Sequence, residues 1–340
     1  MSRWADDPER AAGELIRRAL DEIDLRGHLL LANHAGALAT LLGARGLAFE
    51  LWNRRQTGGG TAEPWPAAGP FDVALLRLPK AKDEQEMAAH ACLGVLAPGG
   101  RLVVYGGNDE GIRSAAGRLE RLCGEVDTLA TRGHGRVVAA KRPADVSPLR
   151  SSLEAWRSTA TLEIGGSRRP WVSYPGVFAA DRIDEGTELL IGALPPLPAG
   201  ARVLDYGCGT GVIGGAAAAH APGIALDLLD SDSVALQAAR ENLPGARLVL
   251  GTTLADTGGV RYDAILSNPP LHTGLAEDHV LLERLIADAP AHLAPGGVLE
   301  IVVQRRIPLD RLLSERFSAI STAAETGRFR VWRASGKSPT

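Results

Sequence analysis

The chain has 340 residues, 45% apolar and 23% charged, an ordinary balance for a globular protein of about two domains. No apolar run reaches the ~18 residues needed to cross a bilayer, and MSRWADDPER is too charged for a secretion signal. Three widely spaced cysteines (Cys92, Cys123 and Cys208) suit neither a disulfide framework nor a zinc cluster, and a net charge of −3 excludes a surface coated in basic charge while leaving room for a local basic patch. A reducing, cytoplasmic setting is expected. Arg54-Arg55, Arg168-Arg169, and Arg305-Arg306 with Arg311 are small basic clusters that read as solvated surface.

In chain order, HLLLAN (28–33) predicts a buried strand, and HAGALATLL a helix after it. FDVALLRLPK (71–80) and LAPGGRLVVYGG (96–107) predict two more strands. KRPADVSPLRSSLEA (141–155) is rich in Pro, Ser and charge and reads as a linker. RVLDYG (202–207) is a short apolar strand, followed by a glycine-rich turn and the small-residue helix VIGGAAAAH. IALDLLD (224–230), RLVLG (247–251) and YDAILS (262–267) are further strands. SDSVALQAARENL, with a Ser or Asp cap, and LAEDHVLLERLIADAPAHL are helices between or after them. GVLEIVVQ is the next strand, and FSAISTAAET with FRVWRAS forms a terminal antiparallel hairpin on the sheet edge. Such alternation predicts a doubly wound, mostly parallel sheet.

The two halves repeat one plan. FDVALLRLPK parallels YDAILSNPP at an offset of 191, and LAPGGRLVVYGG parallels LAPGGVLEIVVQ at an offset of 197. Two copies make a domain duplication rather than a solenoid. The first copy has no DxGxGxG and ends its strand in Leu-Pro-Lys instead of Asn-Pro-Pro. Only the second copy is expected to keep a cofactor site.

In the second copy, Asp205-Tyr206-Gly207-Cys208-Gly209-Thr210-Gly211 lies between strand and helix. Glycines let the backbone turn tightly and pass close to a ligand. Open α/β sheets bind ligands at this carboxyl end. Asp230 ends the next strand, where a carboxylate can accept both hydroxyls of a ribose. Gly209, Gly211 and Gly214 also satisfy GxGxxG, a weak nicotinamide-dinucleotide signal. Asp205 before the first glycine suits a cationic amine better than a pyrophosphate. S-adenosylmethionine (SAM), with an amino-acid head, a ribose and an adenine, fits an acid at each of the two strand ends.

The Ser-Asn-Pro-Pro corner at 267–270 ends the strand, because proline has no N–H for the ladder and a fixed φ. The pattern is typical of methyltransferases acting on planar nitrogens. The Asn268 amide oxygen can accept one N–H of an exocyclic amine, and the Pro269 carbonyl, stiffened with Pro270, can accept the other. Such placement works by positioning and electrostatics, with no metal.

On "PGVFAADRIDEGTELL" (175–190), "VLDYGCGTGV", "LSNPPLHTG" and "TGRFRVWRA", with "LPKAKDE" and "YGGNDEGIRSA" in the first half, the chain resembles the bacterial ribosomal RNA small-subunit methyltransferase C family and its large-subunit relative G. That resemblance implies tandem class I methyltransferase domains, each a Rossmann-like, doubly wound, mostly parallel seven-stranded sheet. It implies a degenerate domain over 1–145, serving as scaffold and RNA contact, and a catalytic domain over 155–336. Asp205, Gly207, Cys208, Gly209 and Gly211 would hold the methionine part of SAM, Asp230 the ribose, and Thr253 the adenine. Asp184 and Thr187 match a segment near the cofactor, where local capping is an equal reading. Asn268, Pro269 and Pro270 would hold the target amine. The family usually carries an aromatic where Leu271 stands, which can stack on a flipped base; Phe178 is the alternative source of an aromatic face. His272 follows the family pattern but reads as a loop or packing histidine, and Gly274 permits the turn into the next helix. The expected reaction is SAM-dependent methylation of guanine N2 in 16S rRNA, on RNA or the small subunit, by a monomer. Adenine N6, a protein glutamine or a small aromatic amine remain alternative acceptors, and a non-catalytic RNA-binding assembly factor is the reading from another class.

Overall fold

LLLA at 29–32 offers water no side, so it can stand only as a strand covered on both faces. In the computed structural model it does so as β1 (Leu29–Ala32). The structure describes residues 8–33, 36–57, 60–179, 181–269 and 276–337. Contacts divide the chain into two units, Met1–Arg157 and Ser158–Thr340. Among the described residues no helix is long and apolar enough to cross a membrane.

In the first unit β1, β2 (Phe49–Trp52), β3 (Phe71–Arg77) and β4 (Leu96–Gly107) are parallel, and β5 (Val126–Arg132) and β6 (Gly135–Lys141) add an antiparallel hairpin, in the order β2-β1-β3-β4-β6-β5. Alternate residues point to opposite faces. Leu29, Leu31, Val73 and Leu75 pack under α1 (Pro8–Ala19) and α2 (Ala37–Ala44). Leu30, Ala32, Ala74 and Leu76 pack under α3 (Lys82–Val95) and α4 (Ile112–Cys123). The stretch 141–155, expected as a linker, packs on this unit: the Arg142 N–H reaches the Gly100 carbonyl at 2.8 Å, the Arg150 N–H reaches His90 Nδ1 at 3.0 Å, and Trp156 is buried edge-on against His90.

In the second unit the hairpin β7 (Ser158–Ile164)–β8 (Ser167–Ser173) stands apart from a seven-stranded sheet. That sheet comprises β9 (Arg202–Tyr206), β10 (Ala225–Asp230), β11 (Arg247–Leu250), β12 (Tyr262–Ser267), β13 (Leu293–Gln304), β14 (Phe317–Glu325) and β15 (Phe329–Lys337), in the order β11-β10-β9-β12-β13-β15-β14. β9 to β13 are parallel, and β14–β15 is the expected terminal antiparallel hairpin. One face packs under α5 (Glu185–Gly192), α6 (Val212–His220) and α7 (Ser233–Asn242). The other packs under α8 (Ala276–His292) and α9 (Asp310–Ser314).

The duplication is visible in register. Asp72 accepts the His28 N–H at 2.7 Å, and Asp263 accepts the Arg202 N–H at 2.8 Å, at the amino ends of equivalent strand pairs. Leu31 stands opposite Leu75 as Asp205 stands opposite Leu266. The seven strands expected of each domain are present in the second unit; among the described residues the first has six, with no counterpart of β11. Its chain there runs through Pro64, Pro66 and Pro70, which cannot donate to a ladder.

Candidate active site

Strand order places the site. From β9 the chain steps to β10 and β11 on one side, then crosses to β12 on the other. The carboxyl ends of β9, β10 and β12 therefore flank a switch point, where open sheets bind ligands.

The turn after β9 has left-handed backbone at Gly207, Gly209 and Gly211, with φ of 70°, 53° and 86°, which a Cβ would strain. The N–H groups of Gly207 and Cys208 both reach the Leu229 carbonyl, at 2.8 and 3.0 Å, which ties the turn to β10. The Cys208 side chain packs into the core, and burial pushes its thiol well above its ordinary value, so it contributes packing rather than a reactive group.

Asp205 is fully buried. Its Oδ2 accepts the Gly214 N–H at 2.8 Å, but its Oδ1 is buried with no hydrogen-bond partner among the described residues. Burial pushes the carboxyl up to about 7, against the Gly214 hydrogen bond and with help from Asp230. A half-satisfied buried acid destabilises the protein alone and suits a cation brought by a ligand. The cationic amine of SAM meets that requirement. Asp230 accepts the Gly209 N–H at 2.8 Å and the Asp232 N–H at 2.9 Å, so the acid at the second strand end also holds the glycine turn.

Two residues that hold this turn carry no local signal in the sequence. Trp171, buried on β8, donates its Nε1–H to Thr210 Oγ1 at 2.9 Å. Asn242, at the end of α7, donates to the carbonyls of Thr210 and Val172 at 3.0 and 2.9 Å and accepts the Val172 N–H at 2.7 Å. The β7–β8 hairpin thereby grips Thr210 from outside the sheet. Beyond β11, the Thr253 N–H and hydroxyl both donate to Asp256 Oδ2 at 2.9 Å, leaving the hydroxyl oxygen as an acceptor.

At the end of β12, the Ser267 hydroxyl donates to the Tyr206 carbonyl at 2.9 Å and pins the corner to β9. The Asn268 Nδ2 donates to Asp184 Oδ2 at 3.1 Å and to Thr187 Oγ1 at 2.9 Å. Asp184 also caps α5, accepting the N–H groups of Gly186 and Thr187, while the Thr187 hydroxyl donates to Asp184 at 2.5 Å. A carboxylate only accepts, so Asp184 fixes the amide with its NH₂ inward and its Oδ1 turned away. Asp184 and Thr187 thus meet Asn268 as well as capping the helix. Pro269 is buried beside them. Pro270, Leu271, His272 and Gly274 lie outside the described residues. Phe178 is 50% exposed on the segment between β8 and α5, so it stands outside the core.

The first unit carries different chemistry at the same register positions. Leu31 stands where the second has Asp205, and Asn53 stands where it has Asp230. Arg77 occupies the Asn268 position, buried, with its guanidinium on Glu110 at 2.6 and 2.9 Å and on Glu9 at 2.9 Å. Arg55 pairs bidentately with buried Glu84 at 2.6 and 2.9 Å, and Arg54 lies 3.8 Å from the same acid. Ion pairs hold this edge together where the second unit presents acceptors.

Such a pair of domains defines a class. Residues 169–333 match the family described as Methyltransferase small domain, and residues 15–149 match Methyltransferase small domain N-terminal. The chain is 33% identical over 265 residues to the ribosomal RNA small subunit methyltransferase C of Alteromonas mediterranea, covering 76% of this chain and 72% of that protein. It is 30% identical over 328 residues to the enzyme of that name from Hahella chejuensis, covering 91% and 94%. The Salmonella newport protein is 35% identical over 269 residues, covering 77% and 75%. The chain belongs to the ribosomal RNA small subunit methyltransferase C family, as its motifs had suggested. A T. thermophilus 16S rRNA N2 methyltransferase solved with AdoMet and guanosine shares the fold, with a TM-score of 0.83 over 99% of this chain and 94% of that one at 24% identity.

Proposed function

We propose that the second unit transfers the methyl group of SAM to the exocyclic N2 amine of a guanine in 16S rRNA. The observation that carries this reading is the clamped Asn268 amide, whose NH₂ is taken by Asp184 and Thr187 so that Oδ1 is left to accept. When bound, SAM would supply an electrophilic methyl on its sulfonium, its sulfur leaving as the neutral thioether of S-adenosylhomocysteine while the methylated amine loses one proton to solvent. Asp205 Oδ1 would take its ammonium, Asp230 its ribose hydroxyls, and Thr253 its adenine amine; Gly207 and Gly209 leave room beside the backbone, while Gly211 lets the turn pack against Leu243. Asn268 Oδ1 accepts one N–H of the target amine and the Pro269 carbonyl the other. The lone pair of that amine is delocalised into the ring. Two acceptors fixed before the amine arrives favour its pyramidal form and point the lone pair out of the ring plane. Phe178 offers an exposed aromatic face for the base. The first unit serves as scaffold and RNA contact, and the chain works as a cytoplasmic monomer on rRNA or the small subunit. Transfer from labelled SAM to small subunits from cells lacking this protein is expected to leave a single N2-methylguanine by mass spectrometry. Transfer only to another planar nitrogen, or none with SAM still bound, would overturn the reading.

A pH dependence follows from Asp205. Its folded value of about 7 lies above the ordinary carboxylate range, so its contribution to the stability of the ligand-free protein is present below that range and lost as pH rises through about 7. SAM needs the ionised carboxylate. Affinity is expected to fall by up to about tenfold per pH unit below about 7, and again above about 8 as the amine of SAM loses its proton. Calorimetry across this range checks both limbs, and Asp205→Asn should flatten the acid one.

A further inference from the structure

We infer that the arginines gathered where β13 ends and the β14–β15 hairpin turns are the seat of the RNA phosphate backbone beside the target base. This rests on the RNA-substrate reading above. β13 runs parallel to β12, so Arg305 and Arg306, just past Gln304, stand at the same edge of the sheet as Asn268. β15 runs antiparallel to β13 with Phe329 opposite Gln304, which brings the hairpin turn and Arg328 to that edge too. The Arg305 N–H donates to the Arg328 carbonyl at 2.8 Å, so the two segments are one surface. Arg328 reaches Glu185 at 2.8 Å, and Glu185 follows Asp184, which holds Asn268.

The strand order then sets the layout. β12 lies between β9 and β13, so the glycine turn flanks the target-amine corner on one side and the arginines flank it on the other. The cluster is open to solvent: Arg305 is 52% and Arg328 75% exposed at the side chain, and Arg306 is exposed. Glu325 is shared between Arg305, at 3.1 Å, and Arg330, so one carboxylate stands against two guanidinium charges. Where these segments meet, Arg305, Arg306, Arg328 and Arg330 stand against two acids, Glu185 and Glu325, in a chain whose net charge is −3. A base turned into the site keeps its phosphates outside, at the rim. Guanidinium forks match phosphate oxygens in pairs, and such contacts position a nucleic acid without reading its sequence.

The test is the double variant Arg305→Glu with Arg306→Glu, beside Arg202→Glu, an exposed charge at the opposite edge of the same sheet. Binding to a 16S rRNA fragment is measured by filter retention across a salt series, and SAM affinity by calorimetry. The double variant is expected to bind RNA about tenfold or more weakly, with a plot of log affinity against log salt shallower by about 1–2. SAM affinity and melting temperature should stay at wild-type values, and Lys at both positions should restore most RNA binding. Unchanged RNA affinity and salt slope in the double variant would overturn the inference. An equal loss in Arg202→Glu would also overturn it, since net charge alone would then explain the effect. RNA binding is read without turnover, so a wild-type protein that binds RNA but does not methylate it would remove the functional reading and leave this surface standing.

Discussion

Asn268→Ala is expected to lower methyl transfer by about 10²–10³-fold while leaving SAM affinity within about twofold. Its Oδ1 is an acceptor aimed by two partners, and neither partner touches the glycine turn in the hydrogen bonds that hold it. Alanine removes the acceptor for the amine and leaves Asp205 and Asp230 as they were. Asp184→Ala should follow the same split in milder form. It frees the amide to rotate and also removes a helix cap, a loss of about 1 kcal/mol. Single-turnover rates on small subunits, with calorimetric SAM affinity, separate the two effects. Equal loss of binding and transfer in Asn268→Ala would remove it from its assigned role and make the Asn-Pro-Pro corner a structural end to β12.

Glu110→Ala should reduce the stability of the first unit by about 3–5 kcal/mol, because it leaves a buried guanidinium short of its main partner. Arg77 is buried and makes two hydrogen bonds to Glu110; its other acid, Glu9, is half exposed. Glu110 also accepts the Gly107 N–H at 2.6 Å, so the variant loses a backbone contact with the pair. Urea unfolding followed by the tryptophans measures the change. Combining it with Arg77→Met should recover part of the loss, since the stranded charge goes too. A midpoint that does not move in Glu110→Ala would mean that the arginine at the Asn268 position is solvated rather than structural. The expected result makes the first unit a domain rebuilt for stability: the position that would orient an amine now anchors a strand end to α1 and to the loop before α4.

Much of this was legible beforehand because its causes are local. Leu29–Ala32 and Tyr262–Ser267 announce buried strands by having no polar side. Gly207, Gly209 and Gly211 announce a left-handed turn, and Pro269 with Pro270 announces a strand end. The shared Leu-Ala-Pro-Gly-Gly announces the duplication. Other features depend on packing and leave no local mark. The proline-bearing segment before β3 gave no warning that the first sheet would show six strands among the described residues. The Pro- and Ser-rich stretch 141–155 reads as a linker by composition, yet the Arg150 N–H within it finds an acceptor in His90 Nδ1. Cys208 sits inside the cofactor motif, and only the fold shows that its side chain packs into the core.

The sequence by itself determined the two-domain α/β class, the strand ends that carry acids and the Asn-Pro-Pro corner, and the family its motifs belong to, because hydrophobic period, glycine and proline act within a few residues of themselves. Only the tertiary structure decided which way the Asn268 amide faces, that Trp171 grips the glycine turn, and that Arg77 and Glu110 stand where the other copy has its acceptor corner. Asp184 lies 84 residues from Asn268, and no local pattern encodes a hydrogen bond between loops that meet only when the sheet has ordered its strands.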